Sequence, residues 1–419
     1  LLQASVEECF GAIPRRQPRG RSWQSLDPYP PRLGRRAPLV TEAVPVTEAR
    51  SVSMQWAVTF PDNRARQEFL LAKPGDYIGQ ILGHEGPGSL LSCLKNRGWV
   101  NKTLAGIVFD QDDFAIFKVG FDVSEEGLRQ KEAIYGAVFS VLRQMEEQGL
   151  DAVPDYSIEE TRELARLRWR FAEKPQAQQA ALQAVETMED RLSPSTYLSN
   201  RVLLFDPPAD GPNQGNLKQA ILSLLKQLTP ERARYATVAR ENAAKAKQVE
   251  TWYGVKYAET EISASAFEGW SNRPVRDLLD GWAYPRPNPF VPKDFNLVWP
   301  QVPSSQRANA SAKPPQLLRS DERWRVFFKA DQAFGVPKGT VLLQFWFPDA
   351  AHTSAASPAA ALDTAAGRIV ARVWQLSLAD RLTEEYYDAQ LAGLNAGCGS
   401  TTVGLSVSAT GYSDKLLLF

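Results

Sequence analysis

Two side chains able to do chemistry stand side by side at a helix break, His84 and Glu85, within Gly83-His84-Glu85-Gly86-Pro87-Gly88-Ser89. An imidazole next to a carboxylate can move a proton. The plainer alternative is a histidine whose nitrogens are satisfied by backbone groups at the break. The chain has two histidines, His84 and His352. They cannot supply a pair four residues apart on one helix, the spacing by which a helix offers two imidazoles to zinc. Cys9, Cys93 and Cys398 are far apart and odd in number, which reads as free thiols in a reducing compartment and not as a disulfide framework. Asp110, Asp112 and Asp113 cluster, but their spacing does not match a calcium loop, and a polar hairpin turn is the reading. No residue is assigned to catalysis or to metal binding on these grounds.

The chain has 419 residues, of which 48 are basic and 48 acidic, with no net charge. That balance argues against nucleic acid as a partner, because phosphate binding needs a surplus of Lys and Arg. No apolar run approaches the roughly 20 residues of a transmembrane helix, so no membrane partner is expected. Leu1 is not a Met, and Glu7 and Glu8 interrupt any apolar leader. A cytoplasmic site or an organellar lumen is favoured over secretion, with the compartment itself left open. Leu2, Val6, Cys9 and Phe10 fall on one side of a helix, and Leu416 to Phe419 is an apolar run without a stop signal. Both ends therefore read as cut inside an element.

Between Pro14 and Arg36 there are seven arginines and one acid, Asp27, and residues 15–48 read as a linker. Val52, Met54, Trp56, Val58 and Phe60 alternate as in a strand ended by Pro61. A helical region over 76–96 is interrupted at Gly86-Pro87-Gly88, with Ser89 capping the second half and Gly98 supplying a left-handed stop. Strands follow over 99–109 and 114–123. Ser124, with Glu125 and Glu126 behind it, opens a long helix carrying Ile134, Val138, Val141, Leu142 and Met145 on its apolar face. Helices over 157–172, 178–192 and 216–228 and a strand over 235–239 complete this part, residues 49–280. Prolines crowd residues 281–315, a second connector. Residues 316–419 read as strands, an amphipathic helix with Val370, Val373, Trp374, Leu378, Leu382 and Tyr386, and a final strand over 403–410. The predicted class is α+β, with tandem units each made of an antiparallel or mixed sheet and helices on one face.

The opening motif resembles a segment of the insulinase (pitrilysin-type) zinc metallopeptidases. Four further patches are similar to that family in the same order: Glu250 to Tyr257 (ETWYGVKY), Asn288 to Phe295 (NPFVPKDF), Trp324 to Val341, and Tyr387 to Leu394 with Gly411 to Leu416. The resemblance implies that residues 1–14 end a zinc-bearing first domain, that 49–280 is the second domain and that 316–419 is an incomplete third. In the family, catalysis uses an H-x-x-E-H helix and a more distant Glu around zinc, with an Arg and a Tyr from a fourth domain. None of these is present here, so the cofactor expectation is zinc in the full-length family protein and none in this chain. The resemblance further implies a peptide-anchoring exosite: Gly83 and Glu85 on a helix side, Leu104 and Gly106 on a strand side, and Gln80 where the family often has a His. Ile107 stands in place of a family Gly and narrows the groove. Expected partners are a peptide substrate and the remaining domains of the same protease. A different class of function stays open, a non-peptidase peptide-binding or scaffold subunit of a processing complex. Trp252-Tyr253 reads as inter-domain packing, and Trp99 as core at a strand start.

Overall fold

The structure is a computed structural model that describes residues 2–14, 39–111, 113–189, 192–209, 211–271, 274–297, 303, 305, 313–330, 334–346, 364–401 and 404–419. Asp112 and His352 lie outside these. The strands are β1 (Leu39–Ala43), β2 (Ser51–Thr59), β3 (Val100–Asp110), β4 (Phe114–Val123), β5 (Ala233–Val238), β6 (Gln248–Val249), β7 (Lys256–Glu261), β8 (Gln316–Ser320), β9 (Arg325–Phe328), β10 (Lys338–Trp346), β11 (Asn395–Thr401) and β12 (Gly404–Tyr412). The α-helices are α1 (Leu2–Phe10), α2 (Asn63–Ala72), α3 (Pro74–Leu82), α4 (Leu90–Asn96), α5 (Glu125–Arg129), α6 (Lys131–Gln148), α7 (Asp155–Arg170), α8 (Ala177–Glu189), α9 (Leu217–Leu225), α10 (Ala264–Ser271), α11 (Val275–Leu278), α12 (Ala365–Leu391) and α13 (Ser413–Leu416).

One sheet of seven strands runs β3-β4-β2-β5-β1-β7-β6. Its pairs are antiparallel except β1 with β5, which is parallel. β2 lies inside the sheet between β4 and β5: Val52, Met54, Trp56 and Val58 are buried on one face of its pleat, and Ser53 and Ala57 on the other. Trp56 hydrogen-bonds through Nε1 to the Thr229 carbonyl at 2.8 Å, so the largest core side chain leaves no orphan donor. The apolar face expected on the long helix, Ile134, Val138, Val141, Leu142 and Met145, is buried on α6. It joins strand residues and α3, α4, α9, α10 and α11 in one cluster. Around Tyr135 the rings are tightly grouped, with Tyr235 at 5.0 Å and Trp270 at 5.5 Å. The second part holds an antiparallel sheet β10-β12-β11 and a β8-β9 hairpin. The architecture is α+β, with mixed and antiparallel sheets packed by helices.

Several sequence expectations differ from this. Residues 39–43, read as linker, form β1, inserted between β5 and β7. Arg- and Pro-rich neighbours mask a short Leu-Val-Thr-Glu-Ala strand whose Leu39 and Val40 are buried. The helix α2 was not anticipated, because Asn63 to Glu68 is strongly polar. Its N-terminus is nonetheless capped by Asp62, whose side chain accepts from Ala65 N. Ser124 caps the five-residue α5, and α6 begins only after Gln130. On α12 the expected apolar face is half open: Val370 is 66% and Trp374 49% exposed.

β1 is held by a buried carboxylate. Glu42 accepts from Lys131 on α6 at 3.1 Å, from Lys245 at 3.2 Å and from Thr260 on β7 at 3.0 Å. Burial by itself pushes this carboxyl up, but Lys131, Thr260 and Lys245 together hold it below its usual 4.5. A lowered folded value means that the stabilisation is full above the unfolded value and fades as pH falls through the folded one. Glu42→Ala strands Lys131 beside β1 and is expected to cost about 3 kcal/mol, the scale of breaking a buried ion pair. Urea unfolding at pH 7 and again at pH 3 checks this: the gap between wild type and variant should be large at pH 7 and shrink at pH 3.

Candidate functional site

The residues singled out by sequence meet at one edge of the large sheet. α2 ends at Lys73, a left-handed residue with φ 46°, and Pro74 opens α3 at its first position. α3 then places Gly75, Gly79 and Gly83 at intervals of four, one stripe of the helix. That stripe lies on β3. A Cβ at Gly79 would stand 3.0 Å from the Ala105 carbonyl oxygen and 3.2 Å from Gly106 Cα. One at Gly75 would stand 2.8 Å from Ile107 Cγ1, and one at Gly83 3.4 Å from Ala105 Cβ. Helix and strand therefore touch nearly backbone to backbone. Ile107 fills the space over Gly75 and leaves no opening there.

Gly86-Pro87-Gly88 breaks the helix as expected, with Gly88 at φ +76°. The Ser89 hydroxyl accepts from Ser92 N at 3.1 Å and caps α4. Gly98, at φ +71°, turns the chain into β3. β3 is the outermost strand: β4 pairs with one side, and among the described residues no strand pairs with the other. Leu104 and Val108 are 53% and 46% exposed on it. Gly106 has φ +144°, a conformation that favours glycine, and open space where a Cβ would project.

Gly83 thus sits against Ala105, between Leu104 and Gly106, and Glu85 lies half-exposed two residues on. Gln80 is not at this edge: the Thr161 hydroxyl on α7 donates to its Oε1 at 2.7 Å. A side chain one residue from Gly79 points about 100° away round the helix.

His84 is buried. The Gly86 N–H donates to its Nδ1 at 3.1 Å, so the ring proton is on Nε2, which faces Asp388 Oδ1 at 3.3 Å. The Tyr387 ring meets it edge-on at 4.6 Å. Neither a proton shuttle to Glu85 nor a backbone-only arrangement describes this; the histidine joins a backbone N–H to a carboxylate from α12. Two more α12 acids continue the seam. The Ser92 hydroxyl donates to Glu384 at 2.6 Å, and Lys95 reaches Asp380 at 2.9 Å. Asp380, Glu384 and Asp388 are four apart and so share one helix face. The Asn288 side chain donates to the Asp388 carbonyl at 2.6 Å, and its N–H to Glu160 at 2.8 Å. Burial pushes Glu160 up, the Asn288 N–H opposes that and the charge of Asp388 adds to it. Tyr387 is pushed up to about 12 by burial and by the charges of Glu85 and Asp388. Sequence reasoning missed Tyr387 and Asp388 as members of this corner. Nothing in a linear sequence pairs positions some 300 residues apart.

Among the described residues no group of three or more His, Cys, Asp or Glu is placed to hold a metal ion, and both nitrogens of His84 are engaged. The residues present do not fit a zinc centre. Trp252 and Tyr253, expected at an inter-domain contact, are 87% and 90% exposed at the tip of the β6-β7 turn. Trp99 is half-buried against the core, with Arg97 over its ring at 5.1 Å.

The glycine stripe generates a test in which two effects oppose. Replacing a helical Gly by Ala gains about 1 kcal/mol of propensity. Forcing backbone apart costs about 1–3 kcal/mol. Gly269 on α10 has nothing within 4 Å of an added Cβ, so Gly269→Ala should raise the urea midpoint. Gly79→Ala should lower it.

Comparison with known proteins gives this geometry its setting. A family model described as the peptidase M16 inactive domain matches residues 2–164, and one described as the middle or third domain of peptidase M16 matches residues 169–419. The seven-stranded sheet takes β1 to β4 from the first range and β5 to β7 from the second. Insulin-degrading enzyme of Homo sapiens is 29% identical over 358 residues, covering 83% of this chain and 31% of the human protein. That of Drosophila melanogaster is 27% identical over 418 residues, covering 99% of this chain and 38% of its own. The chain spans about a third of the length of these relatives. The crystal structure of pitrilysin superposes with a TM-score of 0.66 over 91% of this chain and 36% of that one, at 18% identity, which speaks for the fold. The chain belongs to the M16 peptidases, the insulinase and pitrilysin family, and carries the non-catalytic inactive and middle domains of an insulinase-like protease.

Proposed function

We propose that this chain supplies the wall and the substrate anchor of a peptide-cleaving chamber and no part of the cleavage chemistry. In this reading residues 49–280 form the anchoring domain and 316–419 part of the next. The parent zinc protease's metal belongs to a different part of the protein, and no step of hydrolysis is assigned here. The observation that carries the reading is the unpaired outer edge of β3 beside the half-exposed Glu85. An extended peptide added to such an edge binds through its backbone, so diverse sequences are accepted. Gly106, with open space at its Cβ position, lets that backbone come close. Leu104 and Val108 offer apolar neighbours to alternate side chains of an added strand.

Glu85 sets the end of the peptide. An α-amino group titrates near pH 8 and is charged at neutral pH, and a hydrogen bond to a charged partner is worth about 1.5–3 kcal/mol. The acids around the corner, Asp388 and Glu160 with Glu85, favour a cation there. Gly83 and Leu104 frame the same corner. Gln80, engaged with Thr161, has at most an indirect part. That relatives are named insulin-degrading enzymes agrees with peptides as the substrate class.

Two measurements test this. A short extended peptide with a free N-terminus should bind at least about tenfold more tightly than its N-acetylated form, since 1.4 kcal/mol is a factor of ten. Glu85→Ala should bring the ratio close to one; equal binding of both forms to the wild type contradicts the anchor. The purified chain should also carry no stoichiometric zinc and show no chelator-sensitive cleavage of such peptides. Either activity would place chemistry in this chain and overturn the division of labour.

A further inference from the structure

We propose that His84 is a positioning residue for Glu85, held in place by Asp388 and Tyr387, so that the peptide anchor is shared between the large-sheet unit and α12. The inference rests on the reading of the Glu85 corner as an anchor. Its physical content is how a carboxylate in a loop is kept in one place. Glu85 lies between His84 and Gly86, and the Gly86 N–H closes a ring across it by donating to His84 Nδ1 at 3.1 Å. That closure needs the glycine, because a Cβ at residue 86 would stand 2.6 Å from His84 Cε1. It also needs the imidazole to be neutral and oriented, since Nδ1 accepts only while the proton is on Nε2.

Both conditions are supplied by α12. Asp388 Oδ1 faces Nε2 at 3.3 Å and selects that tautomer. The Tyr387 ring, 4.6 Å away at 73°, blocks rotation of the imidazole, and its hydroxyl lies 3.4 Å from the Gly83 carbonyl oxygen, one residue before the histidine. Asp388 is itself fixed through its carbonyl by Asn288. Ser92 with Glu384 and Lys95 with Asp380 keep the helix face in register. Leu391 and Ala392, at the C-terminal end of the helix, pack with Leu164, Leu167 and Val291. A displaced α12 frees the imidazole, and the main chain at Glu85 loses its clamp while β3 and its edge stay intact. The expected effect is therefore on recognition of the peptide N-terminus and not on strand addition.

The experiment measures the affinity ratio of free to acetylated peptide for wild type, Asp388→Ala and Asp388→Asn, together with the imidazole nitrogen spectrum, tractable because the chain has two histidines. Asp388→Ala should cut an approximately tenfold ratio to about twofold while the affinity for the acetylated peptide is unchanged. Asp388→Asn retains an oxygen that accepts from Nε2–H and should restore most of the ratio, which a general loss of packing would not allow. The wild-type spectrum should show the Nε2–H tautomer for His84 at neutral pH and a shift when the free peptide binds. A wild type that does not distinguish the two peptides sinks the anchor reading itself. A wild type that does, with Asp388→Ala keeping its tenfold ratio, sinks the positioning role alone. A spectrum with Nδ1–H or a charged His84 overturns the proposal whether or not the alanine variant folds.

Discussion

Helix α3 and strand β3 meet backbone to backbone at Gly79, with only Ile107 and the Ala105 methyl beside that point, and the proposed site depends on the contact. With Gly79 an added Cβ's 3.0 Å from the Ala105 carbonyl, the helix is drawn onto the sheet edge. This has two consequences. The edge strand is braced from the core side, where Ile107 seats over Gly75, so its outer side can stay open without unravelling. The end of α3 is brought to the start of the strand, which puts Gly83 and the Glu85 corner beside Leu104 to Gly106. Larger residues on the stripe would lift the helix away and separate the two halves of the proposed anchor. An exposed edge strand is an aggregation hazard, and this one is tempered by two register shifts along β3 and by the twist they bring.

The second unit contributes through α12, whose acids make a polar seam with the large-sheet unit. Acids at Asp380, Glu384 and Asp388 meet Lys95, Ser92 and His84. An apolar part sits beside this seam: the group around Leu164 and Val291, with the rings of Phe171 and Phe295 against Tyr412. The Glu42 cluster is the contrasting case, with a fully buried carboxylate and three donors that fasten a strand permanently inside the sheet.

What the sequence made legible follows the range of the interactions. Short-range signals are the legible ones: the alternation of β2 and β4, the Ser89 cap, the left-handed stop at Gly98 and the apolar face of α6 all depend on neighbours within a turn or a pleat. The five patches in family order carried the assignment of fold and family. Elements whose formation depends on distant partners were hidden. β1 is a strand because β5 and β7 flank it, not because of its flanking Arg- and Pro-rich sequence. β11, Asn-Ala-Gly-Cys-Gly-Ser-Thr, has no apolar alternation and exists by pairing with β12. The spacing of Gly75, Gly79 and Gly83 was visible as text, but its meaning needed the strand beneath it. The partnership of His84 with Asp388 had no local signal at all.

The central claim is that an extended peptide adds to the open side of β3 with its N-terminus at Glu85. Amide hydrogen exchange of the chain with and without a free-N-terminus peptide tests it most directly. The account expects new protection confined to β3 and to the corner from Gly83 to Gly86, and its disappearance at the corner alone when the peptide is acetylated. Protection at a different sheet edge, or none anywhere at saturating peptide, would contradict it.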